Sequence, residues 1–165
     1  MQNRYPVLGT IKDWVIEPEQ RFALAIADPK GKQAVAEAME ARGAVFASLI
    51  HPRCEVSPSA KIGRGVIFYP ASIVGPDTVL GDFVTLLRSP IGHDTTVGDY
   101  TTISSLCNIT GRCHIGRGVF IAGSAALVPG VRIGDGAYVG MGSVVLHGVR
   151  SNTTVFGNPA KRYEL

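Results

Sequence analysis

Apolar residues recur along most of this chain at a spacing of six. Taken in steps of six from Ile67, the positions read Ile67, Ile73, Val79, Thr85, Ile91, Val97, Ile103, Ile109, Ile115, Ile121, Leu127, Ile133, Val139 and Val145, and thirteen of the fourteen are aliphatic. Ahead of Ile67 the frame slips by one, to Val56 and Ile62. An amphipathic helix repeats near ~3.6 residues and a half-buried strand at ~2. A strict six therefore requires another geometry. A coil with three short faces supplies it, each face sending one branched side chain inward and each corner turned by small residues. Three sixes make a rung of about 18 residues, and rungs stack ~4.8 Å apart through backbone hydrogen bonds. The core then consists of three columns: Ile67–Thr85–Ile103–Ile121–Val139, Ile73–Ile91–Ile109–Leu127–Val145 and Val79–Val97–Ile115–Ile133. β-Branched side chains, already restricted at χ1, suit such stacks. Glycine follows the inward residue at 92, 98, 116, 134 and 140, where close approaches exclude a Cβ. Thr85 breaks one column, which predicts a bulge or shift beside it.

The first fifty residues follow a different pattern. Arg21–Ala27 reads as a buried strand. Asp28 is a good N-cap and Pro29 suits the first helical position. Ala34, Val35, Ala38 and Met39 mark one face of a helix that Gly43 ends. Val45–Ile50 reads as a second strand, and His51-Pro52 as a junction. The expected organisation is a small β-α-β unit over 1–52 and a coil over 53–165.

Composition narrows the function. The net charge of +3 and the absence of a Lys/Arg run argue against a nucleic-acid partner. No stretch approaches the ~18 apolar residues of a membrane span, and the opening MQNRYPVLGT lacks a signal-peptide core. Cys54, Cys107 and Cys113 form no C-x-x-C pair, so reduced thiols and a cytoplasmic location are expected.

The hexad repeat over roughly 53–160 resembles the hexapeptide-repeat left-handed β-helix, which makes the expected fold class mainly β. The IHP junction, SPSAKIG, GHD and the closing GNPAK narrow this to a resemblance to the NeuD-like bacterial sugar O-acetyltransferase family, whose relatives include N-acetyltransferases of nucleotide-linked 4-amino sugars. The resemblance implies a left-handed coil, a homotrimer, acetyl-CoA as cosubstrate and a sugar or nucleotide-sugar acceptor, with no metal. In those relatives a strand and a Gly-rich turn open the N-terminal domain. This chain begins at about the second strand, so its α/β unit is expected to be truncated.

The candidate chemistry gathers at His93, the one histidine that follows the glycine of a repeat. Acyl transfer from a thioester needs a base for the acceptor proton, a donor for the oxyanion and a groove that aligns both substrates. Neutral imidazole, with a pKa of ~6.5, suits the first task. His93 lies two places past Ile91, hence at a corner. Counting by eighteen puts Gly75 one rung before it and Gly111 one rung after, leaving open surface around the ring. The resemblance assigns the Gly111 N–H to the acetyl oxygen and makes Asp94 the acidic neighbour that orients the base, a role that requires a bend between adjacent residues. It further implies that Thr102 replaces a second histidine facing acetyl-CoA, that Gly123 and Met141 flank the pantetheine, and that Leu86 and Asp28 border the acceptor. Arg88 either meets an acceptor phosphate or carboxylate or is solvated. Lys161 and Arg162 either meet the CoA phosphates or form a charged tail. Two other classes remain: a non-catalytic scaffold, and a carbonic-anhydrase-like metal enzyme, against which stands the 21-residue separation of His93 and His114, the closest histidine pair after the coil begins.

Overall fold

A computed structural model describes residues 6–163. The first five and last two residues of the two expected units lie outside that range. Within it the chain forms a β-solenoid built from strands of two or three residues that return to the same face once per rung. The first sheet has eight strands, running from Leu49–Ile50 through Thr102–Ile103 and Phe120–Ile121 to Thr154–Phe156 and Lys161–Arg162. The second has six, from Glu55–Val56 to Val144–Val145, and the third five, from Lys61–Ile62 to Arg132–Ile133. All neighbours pair in parallel except the last two strands of the first sheet, which pair antiparallel and close the coil. Gly157, with φ of +102°, sits in the turn between them.

Two residues of each hexad turn inward. One is the large apolar residue, from Phe68, Val74, Leu80 and Leu86 to Ile91, Val97, Ile103 and on to Val145, all buried. The other is smaller: Ser72, Thr78, Ser89, Thr95, Thr101, Cys107, Cys113 and Ser143 occupy it. Their polar atoms stay bonded to the backbone, as in Ser89 Oγ to Ser104 O at 2.7 Å, Thr101 Oγ1 to Gly116 O at 2.8 Å and Gly157 N–H to Ser143 Oγ at 3.2 Å, because a buried hydroxyl without a partner is costly. Cys107 and Cys113 are therefore core thiols, and burial pushes the Cys107 thiol up from its usual range.

The frame shift falls later than the sequence pattern placed it. In steps of six the inward residues run Val56, Ile62, Phe68, Val74, Leu80 and Leu86, and the next inward residue, Ile91, comes after only five. Accordingly Thr85 pairs with Thr102 and Val79 with Thr96, 17 residues on, whereas His114 pairs with Arg132, 18 on. Ile73 and Val79, expected inside, face outward at 40% and 43% exposure. From Gly65 to Gly142 each corner closes on a residue with positive φ, and the short rung keeps that rule: Phe83 is followed by Arg88, then Asp94 and Tyr100.

The N-terminal unit also differs from expectation. The helix spans Pro29–Glu40, with Asp28 as N-cap accepting from Gly31 N–H. Its buried face is Pro29, Lys32, Ala36 and Met39, while Ala34 and Ala38 are exposed. The two expected strands reduce to one bridge, Phe22 with Phe46. Leu49–Ile50 pairs with Ile67–Phe68 as the first rung of the coil, ahead of the His51-Pro52 junction. The unit packs on the third corner, where Phe46 meets Phe83 edge-on at 5.1 Å and Phe83 stacks on Tyr100 at 5.3 Å. Arg64 pairs with Glu40, and Arg117 with Glu37, across this seam.

Candidate active site

His93 and Asp94 are the two turn residues of the second corner, between the strands Pro90–Ile91 and Thr96–Val97. Asp94 has φ of +54°, a left-handed conformation that Asp tolerates better than most residues. That bend lets adjacent side chains meet: His93 Nδ1 and Asp94 Oδ2 are 2.6 Å apart. An ionised carboxylate only accepts, so beside an ionised Asp94 the ring donates from Nδ1, and in the neutral tautomer this sets, Nε2 carries the lone pair.

The ring lies over the next rung. An ideal Cβ built on Gly111 would come 2.6 Å from His93 Nε2, and Arg112 N–H donates to His93 O at 2.8 Å. Glycine at 111 is thus what admits the imidazole. On the other side the short rung changes the neighbour. Asp94 N–H donates to Pro76 O, so Pro76, and not Gly75, lies beneath His93. The Gly111 N–H donates to no protein acceptor among the described residues, while the equivalent amide of Arg117 is capped by Asp135 Oδ1 at 2.9 Å. An imidazole and an unengaged backbone donor therefore stand side by side, with the His93 and Asp94 side chains about half exposed.

The remaining predicted residues separate into groups. Gly123 and Met141 share the first corner with Ser105 and Arg88, linked by Leu106 N–H to Arg88 O, Ser124 N–H to Ser105 O and Gly142 N–H to Gly123 O. Arg88, with φ of +43°, takes the place in this column that counting by eighteen gave to Leu87. Lys161 and Arg162 lie on the closing strand, and Arg162 lines a cavity with His147. Three residues are not brought to His93. Leu86 points into the core with no exposed surface, because the late frame shift makes it an inward residue. Thr102 is buried under the helix, donating to Ala27 O at 2.7 Å and accepting from Lys32 Nζ at 2.8 Å. Asp28 caps the helix and lines a separate cavity with Phe120 and Tyr138.

Lys32 is a residue the sequence pattern missed. Its Nζ is enclosed by Thr102 Oγ1, Thr85 Oγ1 at 3.0 Å, Phe83 O at 3.1 Å and Thr101 O at 3.4 Å. Burial lowers the ammonium from its ordinary value of 10.5 to about 7, against the opposing pull of Asp28. The one available signal was its place at i+3 and i−4 from Pro29 and Ala36. Among the described residues no three His, Cys, Asp or Glu side chains cluster as metal ligands, and no helix is long and apolar enough to cross a membrane.

Comparison with known proteins adds the chemistry of similar folds. Residues 112–147 match the family described as bacterial transferase hexapeptide (six repeats). The acetyltransferase domain of PglB from Neisseria gonorrhoeae, solved also with acetyl coenzyme A, superposes with a TM-score of 0.92 at 30% identity, over 98% of this chain and 80% of that one. PerB from Caulobacter crescentus, solved with CoA and GDP-perosamine, gives 0.84 at 28% identity over 87% of this chain and 70% of that one. Serine acetyltransferase 4 of Arabidopsis thaliana is 33% identical over 80% of this chain but 34% of its own length. The chain spans about a third of the length of the curated relatives it matches, 34% and 37% for the first two. The hexad coil, its two-rung corner site and these likenesses agree, and the chain belongs to the hexapeptide-repeat acetyltransferases.

Proposed function

We propose that the protein transfers an acetyl group from acetyl-CoA to the amine of a nucleotide-linked amino sugar, with His93 as general base. The observation that carries this reading is the imidazole–carboxylate pair lying over a glycine whose N–H is unengaged. The acceptor nitrogen attacks the thioester carbonyl carbon and forms the new C–N bond. His93 Nε2 takes the proton that nitrogen loses. The Gly111 N–H donates to the developing oxyanion, a contact of the kind worth ~10²–10³ in rate. As the C–S bond breaks, the imidazolium returns its proton to the departing thiolate, giving CoA as the free thiol. Asp94 holds the ring in the tautomer this requires and stabilises its charged form. No protein nucleophile is needed.

Gly123 and Met141, one corner away, supply backbone amides and open surface along which a pantetheine arm can lie. Lys161 and Arg162 on the closing strand are the cations this reading assigns to the CoA phosphates. A homotrimer gives the groove at the His93 corner a second wall. The amine acceptor is favoured by PerB, whose solved complex holds CoA and GDP-perosamine. The test is acetyl-CoA incubated with the protein and a panel of nucleotide-linked amino sugars, read as thiol release and as mass gain on the sugar. Acetylated nucleotide sugar is the expected product. Turnover with free serine and with no sugar would overturn the choice of acceptor.

A further inference from the structure

The rung that carries His93 is the one that is a residue short. It leaves the first sheet at Thr85, turns past Arg88, His93 and Asp94, and returns beside its own start at Thr102, 17 residues on. The rungs on either side take 18, from Ile67 to Thr85 and from Thr102 to Phe120. A rung with one residue fewer has less chain to span the same three faces, so its path has little slack. His93 stands near its midpoint, eight residues after Thr85 and nine before Thr102. A slip where the two ends meet is therefore passed on to the imidazole. The imidazole has a tight seat, since a Cβ added to Gly111 on the next rung would lie 2.6 Å from Nε2.

The join where those ends meet is tied by one side chain. Lys32 reaches it from the N-terminal helix and is fully buried. Its Nζ donates to Phe83 O at 3.1 Å and Thr85 Oγ1 at 3.0 Å at the start of the rung, and to Thr102 Oγ1 at 2.8 Å at its end. An ammonium has three N–H groups, and these three oxygens use them all. Thr101 O, 3.4 Å from Nζ, accepts the Thr85 N–H at 3.0 Å across the same join. Thr102 Oγ1 in turn donates to Ala27 O at 2.7 Å, which locks the start of the helix to the rung. Among the described residues no carboxylate lies within ion-pair distance of Nζ. Burying a charge without such a partner is unfavourable, and burial lowers the ammonium from 10.5 to about 7. An apolar side chain of similar volume would pack there at less cost in stability. A buried amine that weakens the fold yet bonds both ends of the reactive rung points to a task in that rung.

We propose that Lys32 is a positioning residue for acetyl transfer, its amine clamping Thr85 to Thr102 and thereby holding His93 over Gly111. The assignment rests on the transferase reading above and adds to that site a residue that touches neither substrate. With the clamp in place the short rung keeps its register between its neighbours, and the imidazole stays in line with the Gly111 amide. Without it the ends can part, and a displacement of ~1 Å at the reacting atoms costs ~10² in rate.

The experiment reads the imidazole itself. Histidine ring signals are followed by NMR in the intact protein, in Lys32→Ala and in Lys32→Met, with His93→Ala used to assign the His93 peaks. Each Lys32 variant is expected to move the His93 signals and to leave in place those of His51 and His147, which lie outside the short rung. Ethylammonium returns N–H donors to the cage and is expected to restore the His93 signals in Lys32→Ala. Tetramethylammonium, which has no N–H, should not. The kcat for acetyl transfer follows the same pattern, falling about tenfold or more with KM for acetyl-CoA unchanged, and recovering with ethylammonium alone. Lys32→Met keeps the side-chain volume and serves where Lys32→Ala fails to fold. A role in folding alone would lower the melting temperature and leave the His93 signals and kcat of the folded protein unmoved, and that result would overturn the proposal. So would rescue by tetramethylammonium, or His51 and His147 signals that move as far as those of His93. The two readings fail separately. His93 signals that follow Lys32 in a protein that transfers no acetyl group remove the transferase reading, and transfer that is untouched in folded Lys32→Met removes the clamp.

Discussion

Two corners of the coil share a backbone plan and put their aspartates to different use. At the third corner an aspartate stands first in the turn and caps the amide of the rung before it: Asp82 Oδ1 takes the Arg64 N–H at 3.0 Å, Asp99 Oδ1 the Asp82 N–H at 2.9 Å, and Asp135 Oδ1 the Arg117 N–H at 2.9 Å. At the second corner His93 stands first and the aspartate second. Asp94 therefore bonds the imidazole; one rung after Gly111 the first turn place is held by Pro129, whose side chain has no acceptor, so among the described residues the Gly111 amide is left without a protein acceptor. The first arrangement seals a turn. The second leaves a backbone donor and an imidazole together. Histidine in the first turn place of one rung and proline in that place two rungs on separate this corner from the sealed one.

Substitutions at the two corners should diverge sharply. The largest effect is expected from Gly111→Ala. The added Cβ would lie 2.6 Å from His93 Nε2, so the ring must leave its place over the amide, and steady-state kcat should fall by ~10²–10³ with little change in melting temperature. Asp94→Asn keeps the size but loses the charge that stabilises the imidazolium. A fall in kcat of about tenfold is expected, a fraction of the ~10²–10⁴ that general-base catalysis supplies, with KM for acetyl-CoA nearly unchanged.

Lys32 tests what ties the N-terminal unit to the short rung. Its ammonium is lowered from 10.5 to about 7 in the folded protein, so between those values the unfolded chain binds more protons and stability rises with pH. Denaturant unfolding across that window should show a steeper rise in the parent protein than in Lys32→Met. Equal slopes would mean the ammonium is not desolvated. The smallest effect is expected from Asp82→Ala at the sealing corner. It removes the cap on Arg64 N–H and the contact with Arg64 Nε, which costs about 0.5–1 kcal/mol of stability at an exposed site, and acetyl transfer should be unchanged.

Much of this was legible in the residue pattern, and the exceptions have physical causes. The six-residue period, the corner position of His93 and its contact with Gly111 follow from spacing alone. The frame shift was misplaced because Ile67, Ile73 and Val79 each precede another apolar residue, so both frames look hydrophobic. Only the series Phe68, Val74, Leu80, Leu86 avoids a threonine, and it is the one that turns inward. Leu86 was assigned to the acceptor by the resemblance, and the late frame shift turns it inward instead. Thr102 was assigned to the cofactor by the resemblance, and the residue pattern does not reveal that the helix covers that face of the sheet. The helix face was set from alanines, whereas Lys32 reaches the interior by satisfying its ammonium on oxygens of the coil. The bend that joins His93 to Asp94 could be named only as a requirement; positive φ at the second turn residue supplies it.

The central claim is that the imidazole over Gly111 removes the acceptor proton. His93→Ala tests it most directly, with single-turnover acetyl transfer and CoA binding measured on the same preparation. The account predicts CoA affinity close to that of the parent protein and a transfer rate lower by ~10² or more. Transfer at a near-parental rate in that variant would contradict it.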